Sequence, residues 1–175
     1  MPKAIVTELI DLLQLERIEE NLFRGQSRDI GTRFVFGGQV LGQALAAAQR
    51  TVEGRDVHSM HAYFLRAGDV EAPIVYEVDR SRDGKSFSSR RVVAIQHGQP
   101  ILNMAASFQQ REDGLTHQVS MPDVPPPEDL AEPEPVSAET LAKVPPKLQR
   151  WVMGHGPFEF RRVFARDELK PPKRP

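Results

Sequence analysis

The 175-residue chain has no cysteine, which excludes disulfides, thiolate metal sites and a cysteine nucleophile in one step. It has no excess charge of one sign either. With 23 basic and 24 acidic side chains the net charge is −1, which argues against nucleic-acid binding driven by bulk electrostatics. No apolar run approaches the roughly 18 residues of a membrane-spanning helix. The opening Met1-Pro-Lys-Ala-Ile-Val-Thr-Glu8 lacks an apolar signal core and a small-residue cleavage site. The expectation is a cytoplasmic protein with no membrane attachment. The final Lys-Arg-Pro does not match a peroxisomal ending. A Gly-x-Ser-x-Gly nucleophile turn is also absent, because Arg24-Gly-Gln-Ser-Arg28 puts serine in the wrong frame. No Walker or dinucleotide glycine pattern occurs.

What the chain does have is a hydrophobic fraction of 39%, enough for one domain or one domain plus a tail. Its most telling stretch runs from Phe34 to Arg50. Leu41, Ala44, Leu45 and Ala48 fall on one helical face, and Val40, Gly42, Ala46 and Ala47 add no charge on the others. A helix that is apolar or small all round is a buried one, here over about residues 38–51 and closed by Glu53-Gly54. Gly37-Gly38 lies where backbone N–H groups collect at the helix start.

Around this helix the pattern predicts an amphipathic helix over 4–20 with Thr7 as its cap, then a short strand at Leu22–Ser27. Four strands follow, over Val57–Arg66, Ile74–Arg82, Ser86–Gln96 and Ile101–Gln109. Asp83-Gly84 and His97-Gly98-Gln99-Pro100 mark the turns between the last three. One buried helix followed by an antiparallel meander is an α+β plan, a curved sheet wrapped round a helix. Composition then changes: residues 111–150 hold 8 of the 15 prolines and read as a linker. Within it, Leu141–Trp151 could form one or two helical turns broken by Pro145-Pro146. Phe158–Phe164 alternates as a strand. The expected division is therefore a domain over 1–112, a linker over 113–155 and an opening strand over 156–175.

Two clusters could carry chemistry. His58 and His61 are spaced like metal ligands, but on a strand they point to opposite faces. His58 shares the predicted face of Met60 and Phe64, so it is either a hydrogen-bonded rim residue or a group facing substrate. The run Arg80–Arg91 places Arg80, Arg82, Lys85, Arg90 and Arg91 around one hairpin. That is either a solvated turn with charged edges or a local anion site, where guanidinium forks and turn N–H groups suit phosphate.

Several of these blocks together carry a family resemblance. Leu15–Ser27, Val35–Ala44, His58–Gly68, Arg82–Val92 and Ile101–Gln109 are similar, in order and without large gaps, to the N-terminal half of an acyl-CoA thioesterase II of the TesB type. The match spans roughly residues 8–125. The resemblance implies a hotdog fold, a central helix wrapped by a curved antiparallel sheet, as the first half of a double hotdog. It further implies hydrolysis of fatty acyl-CoA to fatty acid and CoA, with no metal or cofactor. The family's catalytic Asp, Ser/Thr and Gln belong to the second hotdog, which Phe158–Phe164 would open and whose remainder is missing here.

By resemblance the catalytic Asp sits on the second unit's helix, and the comparable turn around Ala44–Ala48 has no carboxylate. No catalytic residue is therefore assigned. Shape and electrostatics are what remain to be supplied. Amides near Gly37, Gly38 and Gln39 would polarise a thioester carbonyl. Gln43 and His58 would bond near the acyl–sulfur junction, and Arg82, Lys85, Ser86, Phe87 and Arg90 would hold the CoA phosphates. A homodimer, or pairing with a C-terminal hotdog half, is expected because a lone unit exposes an apolar edge and flank. The alternative from another class is a non-catalytic hotdog that binds acyl-CoA or only dimerises. A hotdog dehydratase would need a His and an acid facing one pocket, and His58 supplies half of that pair.

Overall fold

A computed structural model of the chain describes residues 2–132, 136–153, 157–161 and 163. The chain divides into two compact units, Met1–Gly114 and Leu115–Pro175. The first unit opens with helix α1 (Pro2–Leu12) and a short hairpin, β1 (Glu16–Glu19) and β2 (Leu22–Gly25). The central helix α2 (Gly37–Gln49) follows, then four strands: β3 (Asp56–Phe64), β4 (Ile74–Asp83), β5 (Phe87–Gln96) and β6 (Gln99–Gln109). All six strands join one antiparallel sheet in the order β1-β2-β4-β5-β6-β3, with α2 packed on one face. This is the helix-in-sheet α+β plan that the sequence predicts.

The sheet's inner face is set by period-two alternation. Val92, Ala94, Leu102, Met104, Ala106 and Phe108 are buried against Val40, Ala44, Ala47 and Ala48 of α2. Each meander turn has a local cause. His97 and Gly98 both have positive φ, +48° and +71°, the geometry that a two-residue hairpin between Gln96 and Gln99 requires. Gly84 N–H donates to Phe87 O at 2.8 Å and closes the other hairpin around Lys85 and Ser86.

Four expectations need correction. The helix predicted over 4–20 stops at Leu12, and Glu16–Glu19 is an edge strand paired with Leu22–Arg24. Its charged residues are exposed on both faces, so pairing with β2 overrides their helix propensity, and Thr7 lies inside α1 rather than at its start. The buried face of α2 is also rotated from the predicted one. Gln39, Val40, Gln43, Ala44, Ala47 and Ala48 are buried, while Leu41 and Leu45 are only half-buried. β3 does not continue the meander but crosses to the far side of β6, where it forms the sheet edge. Finally, residues 158–161 and 163 are not in a strand, and 162 and 164 lie outside the described residues. A strand needs a partner for its N–H and C=O groups. Here Arg161 instead bonds the carbonyls of Pro127 and Leu130, at 3.1 and 3.2 Å. Otherwise the described residues of the second unit contain one 3-10 turn at Pro127–Asp129 and two short helices, α3 (Ala138–Ala142) and α4 (Pro146–Val152), which flank Pro145. Among the described residues no helix is long and apolar enough to cross a membrane.

Two buried polar side chains lock α2 in place. Gln43 Nε2 donates to Leu12 O at 2.7 Å and Gln26 O at 3.1 Å, and its Oε1 accepts from the Tyr76 hydroxyl at 2.7 Å. Burial raises the Tyr76 pKa, which keeps that hydroxyl protonated as a donor. Just past the helix C-terminus, Arg90 donates from Nε to Thr51 Oγ1 at 2.8 Å and from Nη2 to Thr51 O at 2.9 Å. It also pairs with Asp83 at 2.7 Å, tying α2's end to the hairpin.

Gly25 of β2 leaves the room that Gln43 fills. A Cβ there would lie 2.7 Å from Gln43 Oε1, and the amide cannot retreat without losing three bonds. Gly25→Ala should therefore cost about 1–3 kcal/mol in denaturant unfolding. Asp83 carries a pH signature. Its hydrogen bonds from Ser88 and Arg90 hold its carboxyl below the usual carboxylate range. A depressed folded-state pKa contributes stability that is fully present above the unfolded value of about 3.9 and is lost as pH falls from there through the lower folded-state value. Asp83→Asn should lower Tm near neutrality, and its deficit relative to the parent should shrink on acidification below about pH 4.

Candidate functional site

The candidate residues separate into three environments. Gln43 and Arg90 are buried with their polar atoms bonded inside the fold, and they meet neither of the two depressions on the first unit. Substrate contact by these two is replaced by the locking role above. Gln39 is similar: its Nε2 donates to Gln26 O at 3.0 Å and its Oε1 accepts from Arg28 N–H at 3.3 Å.

Arg82, Lys85, Ser86 and Phe87 come together as the sequence suggests, around an open depression of about 480 Å³ that also includes Gly84, Ser89 and Ser107. The five cations of this region are not equivalent. Arg80 pairs with Glu20 at 3.1 Å and Arg90 with Asp83 at 2.7 Å. Arg82 and Lys85 make no ion pair among the described residues, and both line the depression. Arg55 holds the hairpin from below through Ser88 Oγ and the carbonyls of Gly84 and Lys85. The turn thus presents two cations above a fixed backbone.

His58 joins this cluster for a reason the sequence pattern hides. Val57 pairs with Phe108 and Ser59 with Ser107, so His58 is the extra residue of a β-bulge. The bulge takes His58 out of the series Met60, Ala62, Phe64, which pairs with the inner-face residues Ala106, Met104 and Leu102. Instead its Nε2 lies 2.8 Å from Ser107 Oγ, and its ring meets Phe87 edge-on with centroids 5.8 Å apart. His58, Phe87, Ser89 and Ser107 therefore gather on the sheet face opposite α2. Strict alternation places Phe87, Ser89 and Ser107 there but not His58, because the unpaired residue breaks the side-chain order of β3.

The second depression, of about 410 Å³, lies at the start of α2 and includes Gly37. Its floor is Val35, Val40 and Ile101, all buried, and its rim is Phe34, Phe64 and Leu65, all exposed. None of these six was named as a site residue from the sequence, although five fall within the motif blocks. Gly37 faces the Phe64 ring and Gly38 the Phe36 ring: Cβ atoms built there would lie 3.0 Å from Phe64 Cε1 and 2.5 Å from Phe36 Cε1. Neither glycine N–H has a hydrogen-bond partner among the described residues. Phe64 pairs with Leu102, so the two depressions are separated along β6 by the five-residue span from Leu102 to Ser107. At about 3.4 Å per residue this is about 17 Å.

Comparison with known proteins agrees with this architecture. Residues 24–109 match the model of the acyl-CoA thioesterase N-terminal domain. Acyl-CoA thioesterase 2 of Haemophilus influenzae is 42% identical over 172 residues, covering 98% of this chain and 60% of that protein. Human acyl-coenzyme A thioesterase 8 is 45% identical over 165 residues, covering 91% of this chain and 50% of that protein. The crystal structure of the acyl-CoA thioesterase II TesB2 from Mycobacterium marinum is similar with a TM-score of 0.63 and 47% identity, over 71% of this chain and 46% of that one. This chain therefore spans about half to three-fifths of the length of these two curated relatives. The first unit, whose residues 24–109 match the acyl-CoA thioesterase N-terminal domain, is thus a hotdog similar to the N-terminal portion of acyl-CoA thioesterases.

Proposed function

We propose that this chain is the N-terminal, non-catalytic half of an acyl-CoA thioesterase that hydrolyses fatty acyl-CoA to fatty acid and CoA in the cytoplasm. The observation that carries the reading is the extent of identity to acyl-CoA thioesterases, combined with a central helix that has no acid anywhere from Gly37 to Gln49. Water attacks the thioester carbonyl, the C–S bond breaks, and CoA leaves as the thiol. Abstracting a proton from that water needs a general base, and this half's helix offers none. A second hotdog unit supplies it.

In this reading the amides of Gly37 and Gly38 lie on the carbonyl side, where a helix N-terminus stabilises developing oxyanion charge, whereas the Gln39 N–H is already donated to Phe36 O at 3.0 Å. Arg82, Lys85 and Ser86 hold the CoA phosphates, with His58 and Phe87 beside them. Support comes from the two cations at the turn that no carboxylate neutralises among the described residues. Gln43 and Arg90 serve the site indirectly by fixing α2 and the hairpin. The reaction calls for no metal or cofactor.

The two edges of the sheet support pairing with a second hotdog. β1 is charged, which discourages strand addition. β3 is exposed along almost its whole length and displays Val57, Met60 and Tyr63. Such a surface suits a homodimer or a complementary half. The helix without a carboxylate also favours a second reading, an acyl-CoA-binding or dimerisation module with no turnover.

Three outcomes are expected. The chain alone should hydrolyse acyl-CoA slowly or not at all, and adding a folded C-terminal hotdog segment of a relative should raise the rate. Failure of both preparations, each folded, would remove the enzyme reading. Sedimentation at micromolar concentration should show a dimer, whereas a stable monomer would count against the β3 surface. Arg82→Gln with Lys85→Gln should weaken CoA binding on the order of tenfold or more, since hydrogen bonds to charged groups contribute about 1.5–3 kcal/mol. The loss should diminish at high salt.

A further inference from the structure

The depression at the start of α2 differs in character from the hairpin depression. Its buried floor of Val35, Val40 and Ile101 and its rim of Phe34, Phe64 and Leu65 are all hydrocarbon. The one charged residue lining it, Arg66, has its Nη1 bonded to Pro100 O at 2.7 Å. At about 410 Å³ it is within the range of small-molecule sites, and its chemistry suits an uncharged chain rather than a headgroup.

Phe64 is the unusual member of the rim. It is the last residue of β3 and pairs with buried Leu102, yet 58% of it is exposed. Its ring edge rests on the first residue of α2, where a Cβ on Gly37 would approach Cε1 to 3.0 Å and Cζ to 3.2 Å. No hydrogen bond fixes the ring, so packing alone decides how far it stands over the floor. The tight contact gives Gly37 a second role: the absence of a side chain there lets the ring sit where it does.

We propose that this depression receives the hydrocarbon end of an acyl chain, and that Phe64, seated on Gly37, determines how much chain it accepts. The proposal rests on the acyl-CoA reading and adds to it a residue that sets chain-length preference. Burial of each methylene against the floor strengthens binding about fourfold until the chain meets the ring. Beyond that length added carbons stay in water and contribute nothing. A smaller side chain at position 64 lengthens the accepted chain, and a larger one shortens it.

The test is titration of the full 175-residue chain with non-hydrolysable alkyl-CoA thioethers, from butyl to hexadecyl, followed by calorimetry. For the parent, affinity should rise about fourfold per methylene and then level off. Phe64→Ala should move the levelling point out by about two or more methylenes, and Phe64→Trp should move it in. Free CoA should bind all three proteins equally, and circular dichroism should show them folded. If every protein binds the series but levels off at the same length, the role of Phe64 is overturned while the acyl-CoA reading stands. If affinity is independent of chain length throughout, the depression does not take the acyl chain. If the folded parent binds no member, both readings fail together.

Discussion

A carboxamide inside an apolar core costs free energy unless each of its polar atoms finds a partner. Gln43 meets that condition with groups from three different places: the carbonyl closing α1, the carbonyl of Gln26 just beyond β2, and the hydroxyl of Tyr76 in β4. The bonds are directional, so they fix both the depth and the rotation of α2 in a way that alanine packing alone does not. Arg90 anchors the same helix beyond its C-terminus, through Thr51, and reaches the hairpin through Asp83. Helix, sheet and charged turn are thereby held as one object. The position of Gly37, and the apolar hollow beside it, follows from those anchors.

Much of this was readable in the sequence. The central helix, the strands from Ile74 to Gln109 and their turns follow from helical periodicity, alternation and the Asp-Gly and His-Gly signals. The gathering of Arg82, Lys85, Ser86 and Phe87 follows from the same hairpin. The misses share a cause, which is dependence on distant partners. Glu16–Glu19 has helical composition and becomes a strand because β2 is beside it. Gln39 and Gln43 look like exposed positions and are buried because carbonyls elsewhere need donors. Arg90 looks like one more cation of the turn, and only the fold reveals Thr51 and Asp83 around it. His58 is itself the single unpaired residue of the bulge in β3, which no local propensity announces.

The unit is built unevenly. One edge of its sheet is guarded by Glu16, Arg17 and Glu19, and the other displays hydrocarbon. One side of α2 is sealed against the sheet, whereas Leu41, Gly42, Leu45 and Ala46 remain half-buried. Relatives about twice as long carry this unit as a portion of themselves. The unevenness fits a part whose surface is specialised for continuation on one side only, with the ligand-facing hollows next to that side.

The bulge in β3 has a bearing on solubility. An exposed apolar edge strand is a template on which extended segments can stack indiscriminately and start a fibril. The extra residue at His58 bends the strand and increases its twist. An incoming flat strand would match the backbone on one side of His58 and lose phase on the other. Only a partner with a complementary kink could run the full length. The same irregularity that carries the imidazole to the outer face thus acts as a filter on association, leaving the edge available to a shaped partner and poorly suited to misfolded chains.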